Sequence, residues 1–365
     1  MYIQNKILLE YIWIDSDDNT RSKIKVIPNL EKNKNITLDN VPEWNFDGSS
    51  TGQAEGKESD IIIKPCAIYS NPFVNYIESY LVMCDCWDKD GKPHKTNHRV
   101  KLVETYSKCL NQEPLFGIEQ EYVMFERDNF KHIKTIDYEN GNSVGKFEPL
   151  PYKWIKHNEP GNGPQGPYYC GVGSSVCFGR ELSEKHLEYC LIAGLSICGT
   201  NAEVMGSQWE YQIGPLNPLE VSDQMWVSRY ILNKLSEQYS CVISFHPKPY
   251  KGDWNGSGGH TNFSTLTMRN FGGIEIIKKA CEKLAIKHKS HMEVYGQYNE
   301  ERLSGLHETS SIEDFSWGIS NRGKSIRIPL NVSIEGKGYL EDRRPGANLN
   351  PYLVCNILCE TICID

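Results

Sequence analysis

The segment Phe116-Gly117-Ile118-Glu119-Gln120-Glu121-Tyr122-Val123-Met124-Phe125 is rich in aromatic and β-branched residues, which favour an extended strand whose alternate side chains share a face. Glu119 and Glu121 therefore project side by side, while Ile118, Tyr122 and Met124 point the other way. Two carboxylates at that spacing repel each other, and one stays protonated unless a cation sits between them. Hard divalent cations such as magnesium or manganese prefer oxygen ligands and answer that need. Taken alone, the pair also suits a solvated strand face. The rest of the chain has to decide.

Its 365 residues, 39% hydrophobic and 24% charged, suit a soluble α+β protein of two domains. A net charge of -8 argues against wrapping nucleic acid. No apolar run approaches the roughly 20 residues that span a membrane. The start, Met1 to Ile14, is interrupted by Gln4, Asn5, Lys6 and Glu10 and reads as an early strand, not a secretion signal. The thirteen cysteines are scattered without a disulfide framework, which points to the cytoplasm. Cys355, Cys359 and Cys363 recur along one face of a C-terminal helix, as buried thiols do. Cys84-Asp85-Cys86 with His94 and His98 resembles a zinc site only superficially. Those cysteines alternate like strand residues, and Asp90-Gly91 marks a turn.

Residues 1–92 read as a small strand-rich front domain, with a hairpin over Ile7–Ile14 and Ser22–Ile27, an ordered loop over Trp44–Asp60 and a strand over Ser79–Trp87. Residues 93–365 form a larger domain with helical periodicity over Val100–Cys109, Leu182–Ile197, Ser222–Tyr239 and Gly273–His288. Between Glu126 and Pro167 lies a long polar excursion. Asn201–Gly214 contains a strand with Glu210 and Gln212 on one face, so Glu203 and Glu210 are candidates to join Glu119 and Glu121. The run Asn255-Gly256-Ser257-Gly258-Gly259-His260 lets backbone pass close to a ligand and ends in a histidine able to hold a metal. Arg322 and Arg327, with Arg343 and Arg344 beside Glu341, supply guanidinium forks for carboxylates and phosphates. Carboxylates for metals and arginines for anions together point to phosphoryl transfer, without a Walker lysine motif or a kinase signature set.

At this point the chain resembles the shorter, eukaryotic-type class of glutamine synthetases. The likeness rests on Glu43–Thr51, Phe116–Tyr122, Gly163–Gly173, Gly199–Pro215, Asn255–Ser264, His307-Glu308-Thr309-Ser310, Asn321–Pro329 and Tyr339–Pro345, in order. It implies a β-grasp front domain followed by a catalytic domain built on a curved antiparallel sheet flanked by helices. It also implies ATP-dependent joining of ammonia to the γ-carboxylate of L-glutamate through γ-glutamyl phosphate. Carried over residue by residue, Glu121, Glu203 and Glu210 would hold one magnesium or manganese ion. Glu119, His260 and Glu341 would hold another beside ATP.

By the same resemblance, Arg302 and Arg343 with Asn255 and Gly256 would grip glutamate. Arg322 and Arg327 would neutralise the transferring phosphate, while Asn262 and Ser264 would lie along the nucleotide, which Glu119 and Glu210 also face. Asp47, with Ser50 and Tyr169, would bind ammonium, Asp47 coming from a neighbouring subunit, and Glu308 would sit on a flap that shuts out water. Two stacked rings, a decamer, would follow. A related ligase for an organic amine, and a ring-forming scaffold without chemistry, are the alternatives. The first should show an apolar or open amine pocket, the second gaps among the carboxylates and arginines.

Overall fold

The computed structural model describes residues 5–29, 36–127, 151–153 and 166–365. Most of the long excursion after Glu126, and the start of the Gly163–Gly173 segment, lie outside them.

The first sheet contains β1 (Lys6–Ile14), β2 (Thr20–Pro28), β3 (Trp44–Asp47), β4 (Asp60–Ser70) and β5 (Ser79–Trp87), in the order β2-β1-β5-β4-β3. β1 and β5 run parallel at its centre and the other pairs are antiparallel. β1 is apolar at nearly every position because it is covered on both faces. Leu9, Tyr11 and Trp13 join Val82, Cys84 and Cys86 in a core of the front sheet. Ile12 and Ile14, with Leu81 and Met83, face the main core. Cys84 and Cys86 are thus packed inward, and His94 is engaged by Gln53 and Thr96.

Two local expectations are corrected. The stretch Trp44–Asp60 is not all loop: it holds β3 and the turn Gly48–Thr51. β4, eleven residues long, was not expected at all. Pro65 lies in its middle, and the ladder absorbs it with a register shift between Pro65 and Ala67.

The second sheet has eight strands: β6 (Leu115–Glu126), β7 (Ile197–Ala202), β8 (Gln208–Leu216), β9 (Cys241–Ser244), β10 (Gly259–Ser264), β11 (Trp317–Ile319), β12 (Ile326–Ile328) and β13 (Leu340–Asp342). Their order is β11-β12-β13-β10-β6-β8-β7, with β9 on the far half of β6. The ladder is antiparallel as expected, except that β11 and β12 are parallel at one edge. Four helices matter for the core: α1 (His98–Cys109), α2 (Arg180–Ala193), α3 (Pro218–Tyr239) and α4 (Pro351–Cys359). The α2 periodicity ends before Gly194, whose φ of +82° stops the helix, and Ile197 begins β7. α3 and α4 start alike, with an asparagine cap and a proline in the first turn. Ile118 and Tyr122 of β6 and Tyr211 and Ile213 of β8 pack with Met225, Ile231 and Val354 from these helices. That leaves the other face of β6 and β8 for polar groups.

Candidate active site

β6 sends Glu119 and Glu121 to the open face, and strand register supplies their neighbours. Glu121 lies opposite Glu210 of β8, while Glu119 lies between Gln212 of β8 and His260 of β10. Like charges directly opposite in a ladder are destabilising, so this arrangement calls for a proton or a cation. β13 and β12 bring Glu341 and Arg327 opposite each other beyond β10. Nδ1 of His260 is 3.4 Å from Glu119, 3.8 Å from Glu341 and 4.0 Å from Glu121. Two three-residue groups result, Glu119–His260–Glu341 and Glu121–Glu210–His260, each with ligand atoms within 4.8 Å of one another.

The electrostatics carry the same message. Burial first, then the neighbouring carboxylates, holds Glu121, Glu203 and Glu210 well above the usual carboxylate range. Burial, then Arg343, keeps His260 well below its ordinary value and therefore neutral. Nη2 of Arg302, which can only donate, lies 3.1 Å from Nε2 of His260. The ring proton thus sits on Nδ1, facing the carboxylates.

The glycine run earns its place through close approach. The Gly258 N–H donates to Oε2 of Glu121 at 2.8 Å. A Cβ on Gly258 would lie 2.5 Å from the Arg302 guanidinium, and one on Gly256 would lie 2.8 Å from the Arg302 side chain. Arg343 and Arg327 donate to the two oxygens of Glu341 at 2.6 and 2.7 Å.

A cleft of about 540 Å³ is lined by Glu119, Glu121, Tyr169, Glu203, Glu210, Asn255, Gly256, His260, Arg302, Glu308, Arg322, Arg327, Glu341 and Arg343. Glu203 shares the cleft but belongs to neither three-residue group. Asn262 and Ser264 line an adjoining, more apolar pocket of about 400 Å³ that also touches Glu119. Glu308 is exposed at the cleft wall, and both it and His307 have positive φ, +59° and +52°.

Asp47 and Ser50 line neither cavity. They occupy the exposed turn after β3, where Asp47 accepts hydrogen bonds from Ser49 and Ser50. Hydroxyls of Ser49 and Ser59 pull its carboxyl down to about 2. Gln212, read from sequence on one face with Glu210, also serves the cleft, as do Gln208 and Asn201, which were not singled out. Gln208 donates to Glu121 at 3.2 Å, Asn201 to Glu203 at 3.0 Å, and Gln212 to Glu210 at 2.8 Å. The alternation Gln208, Glu210, Gln212 along β8 was the signal for two of them. One expectation is corrected: Arg344, read from sequence as a fork beside Arg343, is buried away from the cleft, donating to Asp342 at 2.8 and 2.6 Å. Every carboxylate and arginine that the family resemblance carries to the cleft from this chain does line it, unlike the pattern a chemistry-free scaffold should show.

A model of the glutamine synthetase catalytic domain matches residues 96–271. A glutamine synthetase of Yarrowia lipolytica is 50% identical over 357 residues, covering 98% of this chain and 91% of the relative. The chain belongs to the glutamine synthetase family. Members from Debaryomyces hansenii (48% over 358 residues; 98% of this chain, 90% of the relative) and Saccharomyces cerevisiae (46% over 360 residues; 99% and 90%) extend the likeness to fungi more widely. These matches run almost end to end, so they span the segment that carries the Asp47 turn as well as those that line the cleft.

Proposed function

We infer that this chain is a glutamate–ammonia ligase that uses ATP and divalent magnesium or manganese to make L-glutamine. The observation that carries the reading is the facing of buried carboxylates and His260 by Arg302, Arg322 and Arg343 within one cleft, in a member of this family. The donor set fits hard cations: several carboxylate oxygens and a neutral imidazole, with mutual repulsion that a cation relieves. Glu119, His260 and Glu341 would hold one ion, and Glu121 and Glu210, with Glu203 close by, the other. Bound there, divalent cations supply charge neutralisation for phosphate oxygens.

The chain's own groups do the rest. Arg302 and Arg343 hold the substrate's carboxylates, with Asn255 and Gly256 beside them. For His260 to offer Nδ1 as a ligand its proton must sit on Nε2, so Arg302 turns to another acceptor, and a substrate carboxylate is one. Arg322 and Arg327 stabilise the phosphoryl group as it passes from ATP to the γ-carboxylate oxygen, releasing ADP. Asn262 and Ser264 line the nucleotide's path. Asp47, assisted by Ser50 and Tyr169, takes a proton from ammonium. The ammonia nitrogen then bonds to the acyl carbon, the C–O bond to phosphate breaks, and phosphate leaves as hydrogen phosphate, carrying off the proton that the new amide nitrogen sheds. Glu308 closes the cleft against water.

Asp47 lies outside the cleft of its own chain, which supports assembly into rings where a neighbour supplies it, two stacked pentamers in the fullest form. The two sheets, joined through the turn at Asp88–Pro93, support a division at residues 1–92 and 93–365. All thirteen cysteines are free, which supports a cytoplasmic setting. No helix among the described residues is long and apolar enough to cross a membrane. The test is glutamine formation with magnesium, omitting glutamate, ATP and ammonium in turn. A strict need for all three is expected. Turnover only with an organic amine would replace this reading with the neighbouring ligase.

A further inference from the structure

Behind the carboxylate strand lies a cation that the ligase reading leaves unused. Arg229 of α3 is 4% exposed. Its guanidinium carbon lies 4.9 Å from the Trp226 ring centroid and 5.2 Å from that of Phe245. Nε and Nη2 donate to Oε1 of Gln120 at 2.9 and 2.5 Å. Nη2 also reaches the Ala347 carbonyl at 3.0 Å, and Nη1 the Leu349 carbonyl at 2.9 Å. All these acceptors are neutral. Asp18 attracts it only through space, without a hydrogen bond, and burying a cation whose direct partners are all neutral is costly, so its retention asks for a purpose.

The partners suggest one. Gln120 sits between Glu119 and Glu121, facing away from the cleft, and its amide donates to the carbonyls of Glu121 and Ala347 at 2.7 and 2.9 Å. Ala347 and Leu349 follow Glu341 and Arg343 in the chain. One planar fork therefore ties the back of the strand bearing Glu119 and Glu121 to the segment leading out of Glu341 and Arg343. A lysine ammonium could not stack between two rings and serve three oxygens in that geometry.

We propose that Arg229 is a positioning residue for the divalent-cation site: it sets the spacing of Glu119 and Glu121 against Glu341 by clamping Gln120, Ala347 and Leu349. This inference rests on the metal-site reading above. The test is Mn2+ binding to the full-length protein, free of substrates, by titration calorimetry, alongside thermal unfolding. Arg229→Lys, Arg229→Met and Gln120→Met should each weaken Mn2+ binding about 10–100-fold, the usual effect of losing a group that orients metal ligands. The Arg229→Met/Gln120→Met double variant should be no weaker than the worse single, since both break one clamp. Folded variants that melt lower yet bind Mn2+ like wild type would make Arg229 a core strut and overturn the proposal. If the Arg229 variants do not fold, Gln120→Met decides by the same criterion. Glu121→Gln separates the two levels: unchanged Mn2+ affinity there would sink the metal-site reading itself.

Discussion

The cleft and the Asp47 turn hold carboxylates in opposite conditions. Glu121, Glu203 and Glu210 are buried together and resist ionisation. Asp47 is exposed, surrounded by serine hydroxyls, and ionised far below neutrality. The first set is incomplete without a cation brought from solution. The second is a charge already prepared, on an exposed turn that does not line its own chain's cleft. The proposed function gives the two conditions two jobs: the cleft would take the metals and phosphate, and Asp47 would accept a proton in a neighbour's cleft.

The sharpest way to separate these halves is Asp47→Asn, which should cut glutamine formation by about 10²–10⁴-fold, the range for loss of a general base. Calorimetry should find its Mn2+ affinity unchanged. Glu210→Gln should do the converse first, weakening Mn2+ binding by about 10–100-fold or more. Equal metal loss in both variants would collapse the distinction.

The pH dependence of stability gives a smaller effect with a definite sign. Glu203 is pushed up to about 7, and Glu121 and Glu210 to about 8, from an ordinary 4.5. Between those limits the folded, metal-free protein holds more protons than the unfolded chain, so its stability falls as pH rises. Thermal unfolding without metal should show Tm falling steadily across that window, and Mg2+ should flatten the slope. Mn2+ affinity should rise over the same range, because the ligands must deprotonate. The smallest effect belongs to Ser50→Ala, which removes one hydroxyl donor from Asp47. It should move the acid limb of the rate profile upward by less than about one pH unit.

How much of this was legible beforehand depended on periodicity. Glu119 and Glu121 on one face followed from strand alternation, as did Glu210 with Gln212, and β6 and β8 carry both pairs as expected. β4 was illegible because Pro65 interrupts it, and a bulge made in three dimensions repairs the break. The contents of the cleft came from motif likeness: nothing in local pattern brings Arg302 to His260 across 42 residues. Arg229 was invisible for a related reason. Its partners Gln120 and Leu349 lie 109 and 120 residues away, and a single arginine in a helical run that also carries Asp223, Gln224 and Ser228 gives no hint of burial.

Complementation between two crippled chains bears most directly on a site shared by two copies. Co-expressed Asp47→Asn and Glu210→Gln chains, each nearly inactive alone, would form some clefts that pair an intact carboxylate cluster with an intact Asp47. Recovery of glutamine formation in mixed oligomers, with their composition verified by native mass spectrometry, is the predicted result. Mixed oligomers as inactive as either parent would contradict the account.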